Sequence, residues 1–200
     1  MLPITRILLT ANVAVYLLQI AGGNGDQLLI WFALWPPGGD VSRPAFEVWQ
    51  LVSYSFLHGG LAHLFFNMLA LYMFGGDIER LFGSRWFLGY YFVCVISAAL
   101  THLVATAWMG LPPLPTVGAS GGVFGLLLAF GMYFPRRRVM LIFPPIPMQA
   151  RFFVILYGVV ELYLGVTGTA MGIAHFAHLG GMLGGFLMIM HRRGGFGRRR

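Results

Sequence analysis

The sequence contains no lysine, and only 10% of its 200 residues are charged. A soluble domain needs roughly a quarter of its residues charged to cover its surface. This chain cannot meet that need, because 58% of it is hydrophobic. Cysteine is nearly absent too. The single Cys94 excludes an internal disulfide and leaves the redox compartment unread. Acids number six against thirteen arginines, for a formal net charge of +7. That sign suggests nucleic acid, but the arginines sit at the ends of apolar runs, where they act as topology signals rather than as a binding face. No Gly-x-Gly-type phosphate loop stands out, and no cofactor is implied.

What the chain does have is apolar runs of membrane-span length, about 20 residues each. They predict an all-α polytopic membrane protein, a single domain over 1–200 with six transmembrane helices. The expected helices are 5–21, 61–76, 86–107, 120–134, 151–167 and 171–190. The first run is long for a signal peptide, and Gln19-Ile20-Ala21-Gly22-Gly23 is a weak cleavage site, so it reads as a retained span. The first connection, 22–60, is long and carries Trp35-Pro36-Pro37-Gly38-Gly39. Its amphipathic stretch from Phe46 to Leu57 is expected in the interface.

With the N-terminus inside, Arg6, Arg80, Arg85, Arg136, Arg137, Arg138, Arg151, Arg192, Arg193, Arg198, Arg199 and Arg200 fall on the cytoplasmic side, and only Arg43 falls outside. This asymmetry predicts cytoplasmic termini and an extracytoplasmic 22–60 loop. The Arg-rich tail, 191–200, is then an anchor at anionic lipid, not an arm for nucleic acid.

A polar side chain deep in a bilayer is expensive, hence a functional candidate. Counted from the cytoplasmic helix ends at about 1.5 Å per residue, Ser120 lies about 21 Å up, His178 about 18 Å, His63 about 20 Å and Asn67 about 14 Å. Three helices thus bring Ser, His, His and Asn into one layer that can hold a nucleophile, a base and two oxyanion donors. Ser120 follows a stiff loop, Pro112-Pro113-Leu114-Pro115, and starts a helix whose free N–H groups face the reacting oxygen. Gly121/Gly125, Gly180/Gly184 and Gly181/Gly185 give the fourth and sixth helices small faces that allow close approach. Phe124, four residues after Ser120, can hold an imidazole by stacking.

Gly118-Ala119-Ser120-Gly121, His63-Leu64-Phe65-Phe66-Asn67 and Ala177-His178-Leu179-Gly180-Gly181 resemble the three signature motifs of rhomboid intramembrane serine proteases, in the same order and on the same helices. Gly75-Gly76-Asp77-Ile78-Glu79 is similar as well. Phe124 stands where many members have Tyr, and Gln50 where many have Arg. The resemblance implies a minimal six-helix bacterial type in the inner membrane. It implies that Ser120 and His178 form a catalytic dyad, with His63 and Asn67 on the oxyanion and Gly118 and Phe124 in support. Substrates would be single-span membrane proteins cut near the outer end of the span. The alternative is an inactive rhomboid-like protein that binds membrane clients; such proteins usually lack the serine or the histidine.

Other polar residues have plainer readings. His58 is expected to be structural. His175 and His178, three apart, offer a metal pair, but a zinc site would want a carboxylate or third ligand, and no His-Glu-x-x-His run exists; no metal is expected. No acid is expected near the layer, which favours a dyad over a triad. Glu161, in mid-helix, reads either as a structural partner or as a gate residue.

Overall fold

The computed structural model describes residues 2–21, 25–38, 44–140, 145–168 and 174–194. Six long helices carry the fold: α1 (Pro3–Ile20), α4 (Leu61–Phe82), α5 (Ser84–Met109), α6 (Ser120–Tyr133), α7 (Ala150–Thr167) and α8 (His175–Arg192). Two short helices, α2 (Gly25–Phe32) and α3 (Gln50–Ser53), lie in the first connection, and a 3₁₀ turn, Tyr54–Phe56, follows α3. α6 packs against α4, α5, α7 and α8, so the helix that Ser120 opens is enclosed by four others.

Large apolar side chains cover the outside. Ile155, Val159, Tyr163 and Val166 on α7 are all at least 60% exposed, and Trp108 on α5 is 88% exposed. In water such a surface would drive association, whereas acyl chains satisfy it. Among the described residues, α1, α4, α5 and α7 are long and apolar enough to cross a membrane. The chain is therefore an integral membrane protein with a polytopic helical fold. α6 has 14 residues, about 21 Å of helix against a hydrocarbon core of about 30 Å. The described part of α8 includes three histidines and Arg192, which dilute its apolar character.

Three features differ from the sequence expectation. α4 does not stop at Gly76 but runs on to Phe82, roughly two further turns, so a depth count from Gly76 does not start at the helix end. The extension is held by Glu79, whose buried carboxylate accepts the N–H groups of Ile4 (3.0 Å) and Thr5 (2.8 Å), the Thr5 hydroxyl (2.8 Å) and the Ser84 hydroxyl (2.7 Å). A carboxylate at a helix N-terminus satisfies free donors and complements the dipole, so this one side chain ties the starts of α1 and α5 to the end of α4. Second, the connection after α6 contains an antiparallel hairpin, β1 (Arg138–Met140) with β2 (Pro147–Gln149). Asp77 reaches its base through Arg137 at 2.6 Å. Third, α8 begins at His175; the expected start at Met171 lies outside the described residues, as do Arg43 and Arg198 to Arg200.

Gln50 anchors the first connection despite lacking a charge. It is 1% exposed. Its Oε1 accepts the Trp35 N–H at 3.1 Å, and its Nε2 donates to the carbonyls of Trp31 and Ala45 at 3.4 Å. Trp49 Nε1–H adds a bond to the Trp31 carbonyl at 3.0 Å.

Candidate active site

Ser120 is the first residue of α6. A helix leaves its first N–H groups without intrahelical partners, so the donors here point into the space beyond the serine. The loop that delivers it is pinned at three points. Leu34 and Thr116 exchange two backbone hydrogen bonds of 3.0 Å. The Thr116 hydroxyl meets His102 Nε2 at 2.7 Å. Gly118 N–H donates to the Tyr54 carbonyl at 2.9 Å, and the buried Tyr54 hydroxyl in turn donates to the Val95 carbonyl at 2.8 Å. His102 takes a part that the motifs did not suggest, although a histidine inside an apolar run was signal enough.

Gly118 adopts φ +126°, a conformation that L side chains rarely take. A Cβ there would also lie 2.7 Å from His63 Cε1 and 2.8 Å from His63 Nε2. The missing side chain is what lets the His63 imidazole lie against the loop beside Ser120. His63 Nδ1 accepts the Gly59 N–H at 3.3 Å, which leaves the proton of the neutral ring on Nε2, the atom beside Gly118. Asn67, one turn along α4, is buried, and its Nδ2 donates to the His63 carbonyl at 2.9 Å. A side-chain amide has two N–H donors, so the second remains.

His178 reaches Ser120 from α8. A Cβ on Gly181 would collide with the carbonyl of Gly121, so the α6 and α8 backbones touch with nothing between them. At that separation His178 Nε2 lies 2.9 Å from Ser120 Oγ. The Phe124 ring lies parallel to the imidazole, with a centroid distance of 4.2 Å and an interplanar angle of 6°. Ser120, His178, His63, Asn67, Phe124 and His175 all line one cavity of about 1080 Å³.

A model described as the Rhomboid domain matches residues 45–193. The chain is 32% identical over 191 residues to rhomboid protease GlpG of Serratia proteamaculans (strain 568), covering 93% of this chain and 61% of that protein. It is 30% identical over 187 residues to a rhomboid protease GlpG of Klebsiella pneumoniae (strain 342), covering 93% and 62%. Rhomboid protease GluP of Bacillus subtilis (strain 168) is 32% identical over 157 residues, covering 76% of this chain and 28% of that protein. The chain belongs to the rhomboid family. It spans less than two thirds of the length of these relatives.

One acid of this rhomboid stands where the sequence reading placed none. Glu161 Oε2 lies 2.6 Å from His175 Nδ1 and 3.0 Å from His178 Nδ1. The sequence marks Glu161 as a structural partner or gate residue but does not join it to the site, because which face of α7 meets α8 is set by packing rather than by any local motif. The same three side chains place one ligand atom each within 4.8 Å of one another, so the carboxylate whose absence argued against a metal pair is here.

Outside the spans, His58 is 3% exposed, with its ring edge-on to His63 at 5.2 Å. Burial, with His63 as a second cause, pushes its pKa down to about 4. Its backbone N–H and carbonyl are both held by the Gln19 side chain, at 2.9 and 3.2 Å. The residue thereby staples the first connection to the end of α1.

Proposed function

We propose that this chain is an intramembrane serine endopeptidase that uses Ser120 and His178 to cleave single-span membrane proteins near the outer end of the span. The observation that carries the reading is the 2.9 Å contact from Ser120 Oγ to His178 Nε2. It joins a nucleophile at a helix N-terminus to a base inside an apolar bundle, and a packing serine has no need of such a partner.

In the reaction, His178 Nε2 takes the Ser120 proton as Oγ attacks the scissile carbonyl carbon. The carbonyl oxygen becomes an anion, held by the Ser120 N–H, His63 Nε2–H and the second N–H of Asn67. Collapse breaks the C–N bond, and the imidazolium gives its proton to the leaving amine. Water from the cavity, deprotonated by the same imidazole, then attacks the acyl carbon; the ester C–O bond breaks and the imidazolium returns the proton to Ser120 Oγ. Gly118 keeps His63 at the anion, and Phe124 keeps the imidazole plane fixed. In this reading both termini face the bacterial cytoplasm, the chain lies in the inner membrane, and Leu114 faces outside. Cysteine labelling at Leu114 and Arg193 from opposite sides checks the orientation.

The decisive experiment is labelling of the purified protein with a fluorophosphonate. Wild type should be modified at Ser120, and Ser120→Ala and His178→Ala should each abolish both labelling and cleavage of a reporter span without loss of fold. Cleavage by well-folded Ser120→Ala protein would end the serine-protease reading. A wild type that binds membrane clients but neither labels nor cuts would favour the inactive client-binding alternative.

A further inference from the structure

We infer that Glu161 is a positioning residue for His178, standing behind the Ser120–His178 dyad. The inference rests on the protease reading above. For His178 Nε2 to accept the serine proton, its lone pair must face Ser120. The neutral ring then carries its proton on Nδ1. That nitrogen is buried, and among the described residues no aligned hydrogen-bond partner satisfies it. A buried N–H wants an acceptor. The atom that stands within reach is Glu161 Oε2, at 3.0 Å. The approach lies outside hydrogen-bond alignment, and catalytic hydrogen bonds often tighten only once substrate is bound.

The carboxylate is itself held. His175 Nδ1 contacts the same oxygen at 2.6 Å. His175 and His178 are three apart on α8, so their rings share one face of the helix. Glu161 is 8% exposed and sits in the middle of an apolar helix, where an unpaired acid is costly and an acid with a task is the usual case. When His178 becomes an imidazolium, a carboxylate behind it stabilises the charge and keeps the ring in the productive tautomer without taking the proton. A metal ion among the three side chains is the competing occupant. Bonds of about 2.0–2.1 Å in a tetrahedral zinc shell put neighbouring ligand atoms about 3.3 Å apart. The Glu161–His175 contact of 2.6 Å is shorter, as suits a direct hydrogen bond.

The test uses full-length protein in detergent, washed with chelator, with three measurements. Fluorophosphonate labelling reads the Ser120–His178 pair without substrate binding. Steady-state cleavage of a reporter span separates kcat from KM. ¹⁵N shifts of the histidine rings report the tautomer. Glu161→Gln should lower the labelling rate and kcat together by between ten- and a thousandfold, less than the roughly 10⁴-fold cost of the same kind of change in a Ser-His-Asp triad. KM should stay within about twofold of wild type, and Glu161→Asp should recover part of the loss. Wild-type His178 should be protonated on Nδ1, and Glu161→Gln should shift it toward Nε2–H. A well-folded Glu161→Gln protein that labels at the wild-type rate would overturn the inference while leaving the protease reading intact. So would a wild-type spectrum with His178 protonated on Nε2, which decides the matter even if the variant does not fold. Tight stoichiometric Zn²⁺ binding that is lost in His175→Ala would replace the positioning role with a metal site. If wild type fails to label at all, the protease reading falls instead.

Discussion

At Gly118 a single methyl group would reach the chemistry. The residue sits at φ +126° with a histidine ring where its Cβ would be. Gly118→Ala must therefore either strain the backbone or push His63 away. Loss of one oxyanion donor costs about 10²–10³ in kcat. The expected outcome is a drop of that order with reporter binding little changed, and a variant within twofold of wild type would show that His63 does not serve the anion. His58 carries a different consequence. Its folded pKa of about 4 lies below the ordinary value of 6.5. Between those pH values the unfolded chain takes up a proton that the folded chain refuses, so stability is complete above about 6.5 and declines toward pH 4, by at most about 1.4 kcal/mol per pH unit. Melting in detergent across that range should be less pH-dependent in His58→Phe than in wild type. Parallel curves would mean that the ring is not held neutral by burial.

Among the elements, the extension of α4 has the clearest energetic anchor. The Glu79 carboxylate accepts four hydrogen bonds from two other helices. Gln in its place offers one acceptor and turns an NH₂ group toward donors. Charged hydrogen bonds contribute about 1.5–3 kcal/mol each, and about 1 kcal/mol moves the melting point of a chain this size by about 2–4 °C. Each oxygen accepts two of the bonds, so Glu79→Gln should melt roughly 6–24 °C lower. The fluorophosphonate labelling rate at 25 °C should hardly change, because Glu79 lies at the opposite end of α4 from His63; a large fall in that rate would contradict the separation. The spans α1, α4, α5 and α7 were legible in the sequence because each one is a long stretch of largely apolar character. The extension past Gly75-Gly76 was not, since glycine pairs mark helix ends in isolation. Here Gly75 is a close-packing site, where a Cβ would lie 3.1 Å from Thr5 Cγ2, and the partner that makes it so is some seventy residues away.

For the whole molecule, legibility divides along the same line. Ser120, His178, His63 and Asn67 stand in short local motifs, which single them out even though α4 runs past the Gly76 from which the depths of His63 and Asn67 are counted. Glu161, His102 and the anchoring by Gln50 each depend on how helices or loops are turned toward one another, which no local pattern records. The backbone contact between Gly181 and Gly121 bears on how the protein answers to its lipid. Helices tilt to match the thickness of the membrane around them. With main chain against main chain, α6 and α8 have no compressible side-chain layer to absorb a tilt and must move as one body. The nucleophile–base distance should then be indifferent to acyl chain length, while presentation of a substrate span should not be. In bilayers of graded thickness, fluorophosphonate labelling should proceed at a constant rate as reporter cleavage passes through an optimum. If the two rates rose and fell together, the Ser120–His178 pair itself would be yielding to the membrane.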